Sequence, residues 1–343
     1  MHDRFLKACR CEPVDRVPIW LMRQAGRFMA EYRAIRSQHD LLTMIRTPEL
    51  AAEVTLQPIR AFGMDAAIIF ADILPLLETL GLKLRFVSGR GPVIDNPVQT
   101  PEAVDQLHRL PVQESLQGTF EAIRLVRREL EGKAPLIGFS GAPFTLACYA
   151  IEGSTSRDYH LARQFMYQET RAWHALMDRL TDAVIAYLQA QQQAGAQALQ
   201  LFDSWAGLLS PEAYRAYVLP HMQTIFASLS GVPVIHFATG NPALIPLLQE
   251  AGGDVIGLDW RCSIQETLPR IQAGRALQGN LDPAILLTSP EVIRREAQNL
   301  LRAVGERPGF IFNLGHGVLK QTPEAHVRVL IETVQQHGVV PTP

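Results

Sequence analysis

The most distinctive chemistry-bearing signal in the chain is Arg23-Gln24-Ala25-Gly26-Arg27, two guanidiniums flanking a short turn. A guanidinium is a planar fork of donors that matches a carboxylate bidentately, so two of them on one turn suit a ligand with several carboxylates. Gly26 is expected to let the backbone bend so that both forks point inward. A salt-bridged pair of loop arginines is the plainer reading, but local charge argues for function. Residues 1–36 carry eight Lys and Arg against four Asp and Glu, a local +4 in a chain whose 32 basic and 34 acidic residues leave it at −2. A positive mouth focuses field on an anionic small molecule and speeds its capture. Asp72 is the second signal. It interrupts the apolar run AAIIFADILPLL, where a carboxylate is costly unless paired. A helix cap or an arginine partner would account for it. The reading adopted is an anion aimed into a binding cup, toward N–H donors or a developing cation.

These residues need a frame. Eight short apolar runs alternate with longer stretches of helical period: 17–21, 66–70, 136–139, 198–202, 232–237, 254–258, 275–279 and 309–314. They are near-continuous rather than alternating, which suits parallel strands buried on both faces. The segments TPELAAEVTLQPIRAFG, SPEVIRREAQNLLRAVG and TPEAHVRVLIETVQQHG open on Ser or Thr with Pro and Glu and close on Gly, a start and stop pattern for helices. SLQGTFEAIRLVRRELEG opens at Ser115 and closes at Gly132, and 158–195 is long enough for more than one helix. Strand–helix alternation around eight strands predicts an α/β fold, a single (β/α)8 barrel over residues 1–343, with a doubly wound open sheet as the alternative. LKLRFVSGRGPVIDNPV (82–98) reads as an inserted hairpin, and the terminal VVPTP as a frayed tail.

In a barrel, chemistry collects at the carboxyl ends of the strands. There the runs meet MRQAGR, Asp72, Ser140-Gly141, Asp203-Ser204, His236, Asp259, Asn280 and Gly315-His316-Gly317, all expected to face one cup. Asp203, Asp259 and Asn280 are read as loop braces.

Other classes lose support. Hydrophobic residues make up 47%, charged residues 19% and aromatic residues 7%, which is globular rather than disordered. The balanced charge disfavours nucleic acid as a partner. Four scattered cysteines do not make a disulfide scaffold, and a reducing cytosol is the simpler setting. MHDRFLKACRCEP lacks a signal-peptide core, and DAAIIFADILPLLETLGL is broken by Asp72, Pro75 and Glu78, so a cytoplasmic protein without a membrane span is expected. Ala142 breaks a nucleophile elbow and Lys320 breaks G-x-G-x-x-G; no phosphate-binding loop is present. Cys9-x-Cys11 is a weak metal signal with no nearby histidine partner.

PIWLMRQAGRFMAEYR (18–33) and GFSGAPFTLACYAIEG (138–153), together with FADIL (70–74), LQLFDSWAG (199–207) and FNLGHGV (312–318), resemble the uroporphyrinogen decarboxylase family over nearly the whole chain. The family often reads RYLPEYR where this chain has Arg27-Phe28-Met29-Ala30-Glu31-Tyr32-Arg33, a departure beyond the turn between the arginines. The resemblance implies a (β/α)8 carboxy-lyase without cofactor or metal, usually a homodimer. Such an enzyme removes carbon dioxide from the four acetate side chains of uroporphyrinogen III to give coproporphyrinogen III. It further implies that Arg23 and Arg27 bind carboxylates and that Asp72 receives the pyrrole N–H groups. Gln24, Ala25, Gly26, Tyr149, Phe202, Ser204 and His316 are implied as further substrate contacts. Two rivals compete with this reading. A zinc-dependent methyltransferase of the same superfamily would need cysteines that are missing after His236 and at the end of the last run. A non-catalytic tetrapyrrole carrier could use the same arginines and Asp72.

Overall fold

The computed structural model describes residues 3–340. Among the described residues nine strands form: β1 (Ala67–Ile68), β2 (Leu84–Val87), β3 (Gly91–Ile94), β4 (Leu136–Gly141), β5 (Ala198–Asp203), β6 (Val234–Ala238), β7 (Val255–Gly257), β8 (Ala276–Leu281) and β9 (Phe310–Leu314). Seven make one parallel sheet in the order β1-β4-β5-β6-β7-β8-β9, and β2 and β3 form a separate antiparallel hairpin. Sequential order with a helical return after each strand is the barrel topology. Every residue of β4, β6, β7, β8 and β9 is buried, because helices cover the sheet outside and side chains fill it inside.

The seam is closed by the run expected as the first strand, and there the structure departs from expectation. Residues 17–21 make a single ladder bridge, Ile19 to Phe312 of β9. Pro18 has no N–H to give, although its carbonyl accepts from Phe312 at 2.9 Å. The N–H of Ile19 goes to a side chain, Asp65 Oδ2 at 2.9 Å, while Asp65 N–H donates to Ile19 O at 2.8 Å. The segment therefore joins β9 to the approach of β1 with a carboxylate standing where a strand carbonyl would be.

That carboxylate also corrects the charge argument. Asp65 accepts from Arg4 Nη1 (2.7 Å) and from Arg16 Nη1 and Nη2 (2.8 and 2.9 Å), and Arg4 also forks onto Asp15 at 2.7 and 2.6 Å. Arg4 and Arg16, two of the eight basic residues counted toward a positive mouth, are thus neutralised within the seam. Helix Arg4–Cys9 sends Phe5, Ala8 and Cys9 into the barrel interior beside Trp20, Ile137, Ala198, Ile235, Val255, Ala276 and Ile311, which plugs one end. Burial pushes the Cys9 thiol well up, so Cys9 and Cys11 sit in this plug as packing residues.

The helices follow their signals. Pro48–Phe62 begins on Pro and ends at left-handed Gly63, Pro290–Val304 begins on Pro and ends at Gly305, and Glu324–His337 ends at Gly338. The 115–132 stretch forms Gln117–Glu129, and 158–195 divides into His160–Gln168 and Thr170–Ala194. The expected frayed tail is partly paired: Arg16 bridges Val339, and Val340 N–H donates to Asp15 O at 3.1 Å; 341–343 lie outside the described residues.

Asp65→Ala takes the carboxylate from Arg16 and from the Ile19 N–H in a buried seam and leaves Arg4 to Asp15 alone, so it should lower stability by about 3–5 kcal/mol. The measurement is the shift of the denaturant midpoint at unchanged slope.

Candidate active site

The carboxyl ends of the strands carry four polar side chains that act on one another electrically. Asp72 follows β1, where Leu74 N–H donates to its Oδ1 at 2.9 Å at the start of the turn Leu74–Leu80. Asp72 thus braces the backbone at the start of that turn, as one of the alternatives for it had it. Burial raises the Asp72 pKa, and the positive charge of Arg23 opposes the rise. Tyr149, in helix Pro143–Glu152 after β4, is raised by burial first and then by the negative charge of Asp72. His316, after β9, is pushed down to about 4 by burial and then by the charge of Arg23. Its Nδ1 accepts from Gly317 N–H at 2.7 Å, which puts the proton on Nε2. At neutral pH His316 is thus a neutral imidazole with one N–H to donate, and Tyr149 is a protonated phenol.

Arg23 is held in a left-handed backbone, φ +59°, a conformation that costs energy in a residue with a side chain and persists only where surroundings impose it. Gly26 was expected to supply the bend. It has no left-handed φ, and the strained position is Arg23 itself. Gln24 is buried, with its amide spent on the turn: Nε2 donates to Ala66 O at 3.1 Å and Oε1 accepts from Leu21 N–H at 3.2 Å. Ala25 and Gly26 are half-buried, and Arg23 and Arg27 are both exposed at the mouth. The charge of Arg27 is felt by Tyr32, whose ring meets Phe70 edge-on at 5.8 Å, whereas the charge felt by Asp72 is that of Arg23. Of the two arginines, Arg23 is the one whose charge reaches Asp72.

Apolar walls complete the cup. Phe202 is half-buried at the end of β5, its ring edge-on to Phe139 (5.4 Å) and Phe237 (5.9 Å). Ser204 is half-buried, and its carbonyl accepts from Thr239 Oγ1 at 2.7 Å. The sequence reading missed the support beneath Tyr149: Tyr159 and Trp205 pack on its ring at 5.4 and 6.3 Å and on each other at 4.6 Å. Trp205 lies inside the LQLFDSWAG motif, but Tyr159, left-handed at φ +47° just before helix His160–Gln168, carries no local signal. Trp260 was missed too; it meets His316 edge-on at 6.0 Å, with the Arg261 guanidinium 3.9 Å from its ring centre.

Asp259 and Asn280 are braces, as expected. Asp259 accepts from Gly240 N–H at 2.6 Å and from Arg261, while Asn280 Nδ2 donates to the carbonyls of Asp259 and Cys262. Asp203 turns toward the helix layer, where Thr145 Oγ1 donates to its Oδ1 at 2.8 Å; its Oδ2 has no partner among the described residues. His236 does not face the cup. It is buried on the helix side, its Nδ1 3.3 Å from Leu248 O and its ring 5.0 Å from Phe226. Residues on the helix-facing side of a strand cannot reach the barrel mouth, which corrects its placement with the cup residues. Among the described residues no three His, Cys, Asp or Glu side chains gather as a metal site.

A family model described as uroporphyrinogen decarboxylase (URO-D) matches residues 1–337. The chain belongs to the uroporphyrinogen decarboxylase family. Relatives named uroporphyrinogen decarboxylase include one from Chloroflexus aggregans, 54% identical over 100% of this chain and 98% of its own length. Another, from Carboxydothermus hydrogenoformans, is 52% identical over 98% and 97%. A third, from Thermus thermophilus, is 48% identical over 98% and 98%. Among solved structures, a methyltransferase from Methanosarcina mazei superposes with a TM-score of 0.80 at 21% identity, covering 97% of each chain. A B12-independent methionine synthase from Shewanella superposes at 0.57 with 12% identity, covering 85% of this chain and 86% of its own. At those identities they speak to the barrel fold of this family member alone.

Two titrations check the electrostatics. The His316 imidazole should show no protonation step in the NMR spectrum between about pH 5.5 and 8, because its pKa is near 4; Arg23→Ala should move the step upward. Burial raises Asp203 to about 7, above its unfolded value. The folded state then keeps a proton that the unfolded chain releases, and stability falls as pH rises from about 4 to 7. Asp203→Asn keeps the acceptor for Thr145 and removes that slope, so its denaturant midpoint should gain on wild type at about pH 8 relative to about pH 4.

Proposed function

We propose that the chain removes carbon dioxide from the four acetate side chains of uroporphyrinogen III, giving coproporphyrinogen III. The observation that carries the reading is the convergence of Arg23, Asp72, Tyr149 and His316 at one barrel mouth in a chain of this family.

An acetate on a pyrrole holds the electrons of its carboxylate bond tightly until the ring becomes an electron sink. Protonation at a ring carbon makes that sink. The bond to the carboxylate then breaks, its electron pair enters the ring cation, and carbon dioxide leaves. The exocyclic carbon takes up a proton to become methyl, and the ring carbon gives its added proton back. For each acetate the sum is one carboxylate and one proton consumed, one methyl and one carbon dioxide formed. The substrate carries its own sink, so the reaction asks no cofactor of the protein.

Asp72 is assigned as the electrostatic centre. In the free site burial raises its pKa. Pyrrole N–H donors and the ring cation favour the carboxylate form, so substrate should bind more tightly as pH rises through the free-site pKa of Asp72. Arg23 is assigned to a carboxylate beside this centre and Arg27 to one at the rim. Neutral His316, through Nε2–H, and the Tyr149 phenol are assigned as further donors to the substrate. His316 is a poor source of the ring proton near neutrality because its acid form is scarce there, and Tyr149, raised above an ordinary phenol, is too weak an acid, so neither is assigned as that source. Four successive reactions need the macrocycle to present each ring in turn, and convergence of all N–H groups on one carboxylate allows that by rotation about a single pivot.

The reading takes residues 1–343 as one catalytic domain, working as a cytoplasmic homodimer, an assembly that sedimentation measures; nucleic acid has no part in it. Among the described residues no helix is long and apolar enough to cross a membrane.

Anaerobic incubation with uroporphyrinogen should convert the octacarboxylate to a tetracarboxylate with release of carbon dioxide. Binding without release would instead make the chain a carrier, and stoichiometric zinc essential for activity would favour the methyltransferase rival. Asp72→Asn should keep the circular dichroism spectrum and lose about 10²–10³ in kcat, the scale of one preorganised electrostatic group. Arg27→Ala should act mainly on KM.

A further inference from the structure

The glycine at 317 is not demanded by its own backbone. Fifteen glycines in the chain adopt a left-handed φ, and Gly317 is not among them. Nor is it demanded by a neighbouring main chain, as at Gly315, where a Cβ would overlap the backbone nitrogen of Trp260. A Cβ at 317 would overlap Arg23 Cδ and lie 2.7 Å from Arg23 Cγ and 3.0 Å from Nε. All three nearest atoms belong to the stem of the arginine that sits beside Asp72. The stem lies in the space that a side chain at 317 would fill.

The same segment grips Arg23 from its other side. Asn313 Oδ1 accepts from Met22 N–H at 3.0 Å and from Leu314 N–H at 2.8 Å. Val318 N–H donates to Met22 O at 2.9 Å. The residue before Arg23 is thus held at its N–H and its C=O by the chain running from Asn313 to Val318. Such a grip can impose the left-handed φ of +59° at Arg23, which otherwise relaxes.

We propose that Gly317 is a positioning residue for Arg23: its bare α-carbon is the groove that receives the arginine stem and directs the guanidinium toward the Asp72 centre. The inference rests on the proposed role of Arg23 in binding a substrate carboxylate. Alanine at 317 suits the backbone, and the group it displaces is a flexible side chain, so the fold survives while the guanidinium moves.

The test is a double-mutant cycle with Gly317→Ala and Arg23→Ala, measured as KM and kcat for uroporphyrinogen and as the NMR titration of His316. Gly317→Ala should melt like wild type and lose about 10- to 100-fold in kcat/KM, mostly through KM, as expected for a misplaced clamp. In the Arg23→Ala background the same change should cost less than about twofold, because the group it displaces is gone. The His316 step should move upward in Gly317→Ala as the arginine charge withdraws. Wild-type kinetics in Gly317→Ala, or losses that multiply in the double variant, would overturn the proposal. A His316 titration unchanged by Gly317→Ala would overturn it as well, whatever Arg23→Ala does to turnover. Full turnover in Arg23→Ala with a displaced His316 step would instead retain the positioning and overturn the catalytic assignment of Arg23.

Discussion

The site depends on closure of the barrel at one seam, and the seam depends on Asp65. One carboxylate accepts the N–H of Ile19 and the forks of Arg4 and Arg16. A proline in the closing run removes a ladder donor, and two-residue β1 offers little edge to pair with. Without that side chain, the register of the run at 17–21 toward β1 would rest on the backbone bond from Asp65 N–H to Ile19 O and on Gln24 to Ala66 O. The turn at 23–27 depends on that register for its place beside Asp72 on one side and the 313–318 segment on the other. Burying three charges here is tolerable because each finds partners within hydrogen-bond distance.

Burial also sets the character of the mouth. Desolvation raises Asp72 and Tyr149 and depresses His316, so at neutral pH the latter two are neutral donors. Arg23 supplies a fixed positive charge among them. The surface thus offers one positive charge, one carboxyl group and two neutral donors. The mouth is also braced: Asp259 ties the loops after β6 and β7 together, Asn280 ties the latter to β8, and Trp260, carried by the same loop, walls His316.

Much of this was legible from residue order. The apolar runs marked the strands because a parallel sheet covered on both faces leaves no polar side to alternate with. The Ser/Thr-Pro-Glu and Gly signals marked helices because they answer the unpaired groups at helix ends. The strand-end positions of Asp72, Ser204 and His316 could be read as soon as a barrel was expected. Other features could not be read. Gly26 looked like the hinge of the arginine turn, yet the left-handed residue is Arg23, because contacts from a segment nearly three hundred residues away overrule local preference. His236 ends a strand like the cup residues but occupies the opposite side of the sheet, where Phe226 and Leu248 enclose it. Tyr159 and Trp205 support Tyr149 from elements with no spacing relation to it.

By itself the sequence determined the alternation of strands and helices, the family, and the chemical types that meet at the mouth, since these follow from periodicity and from motifs read along the chain. Tertiary structure alone decided which arginine's charge reaches Asp72, which basic residues are spent inside the seam, and what fills the space at position 317. Those are relations between side chains distant in sequence, and their energies depend on separations and burial that exist only once the barrel has closed.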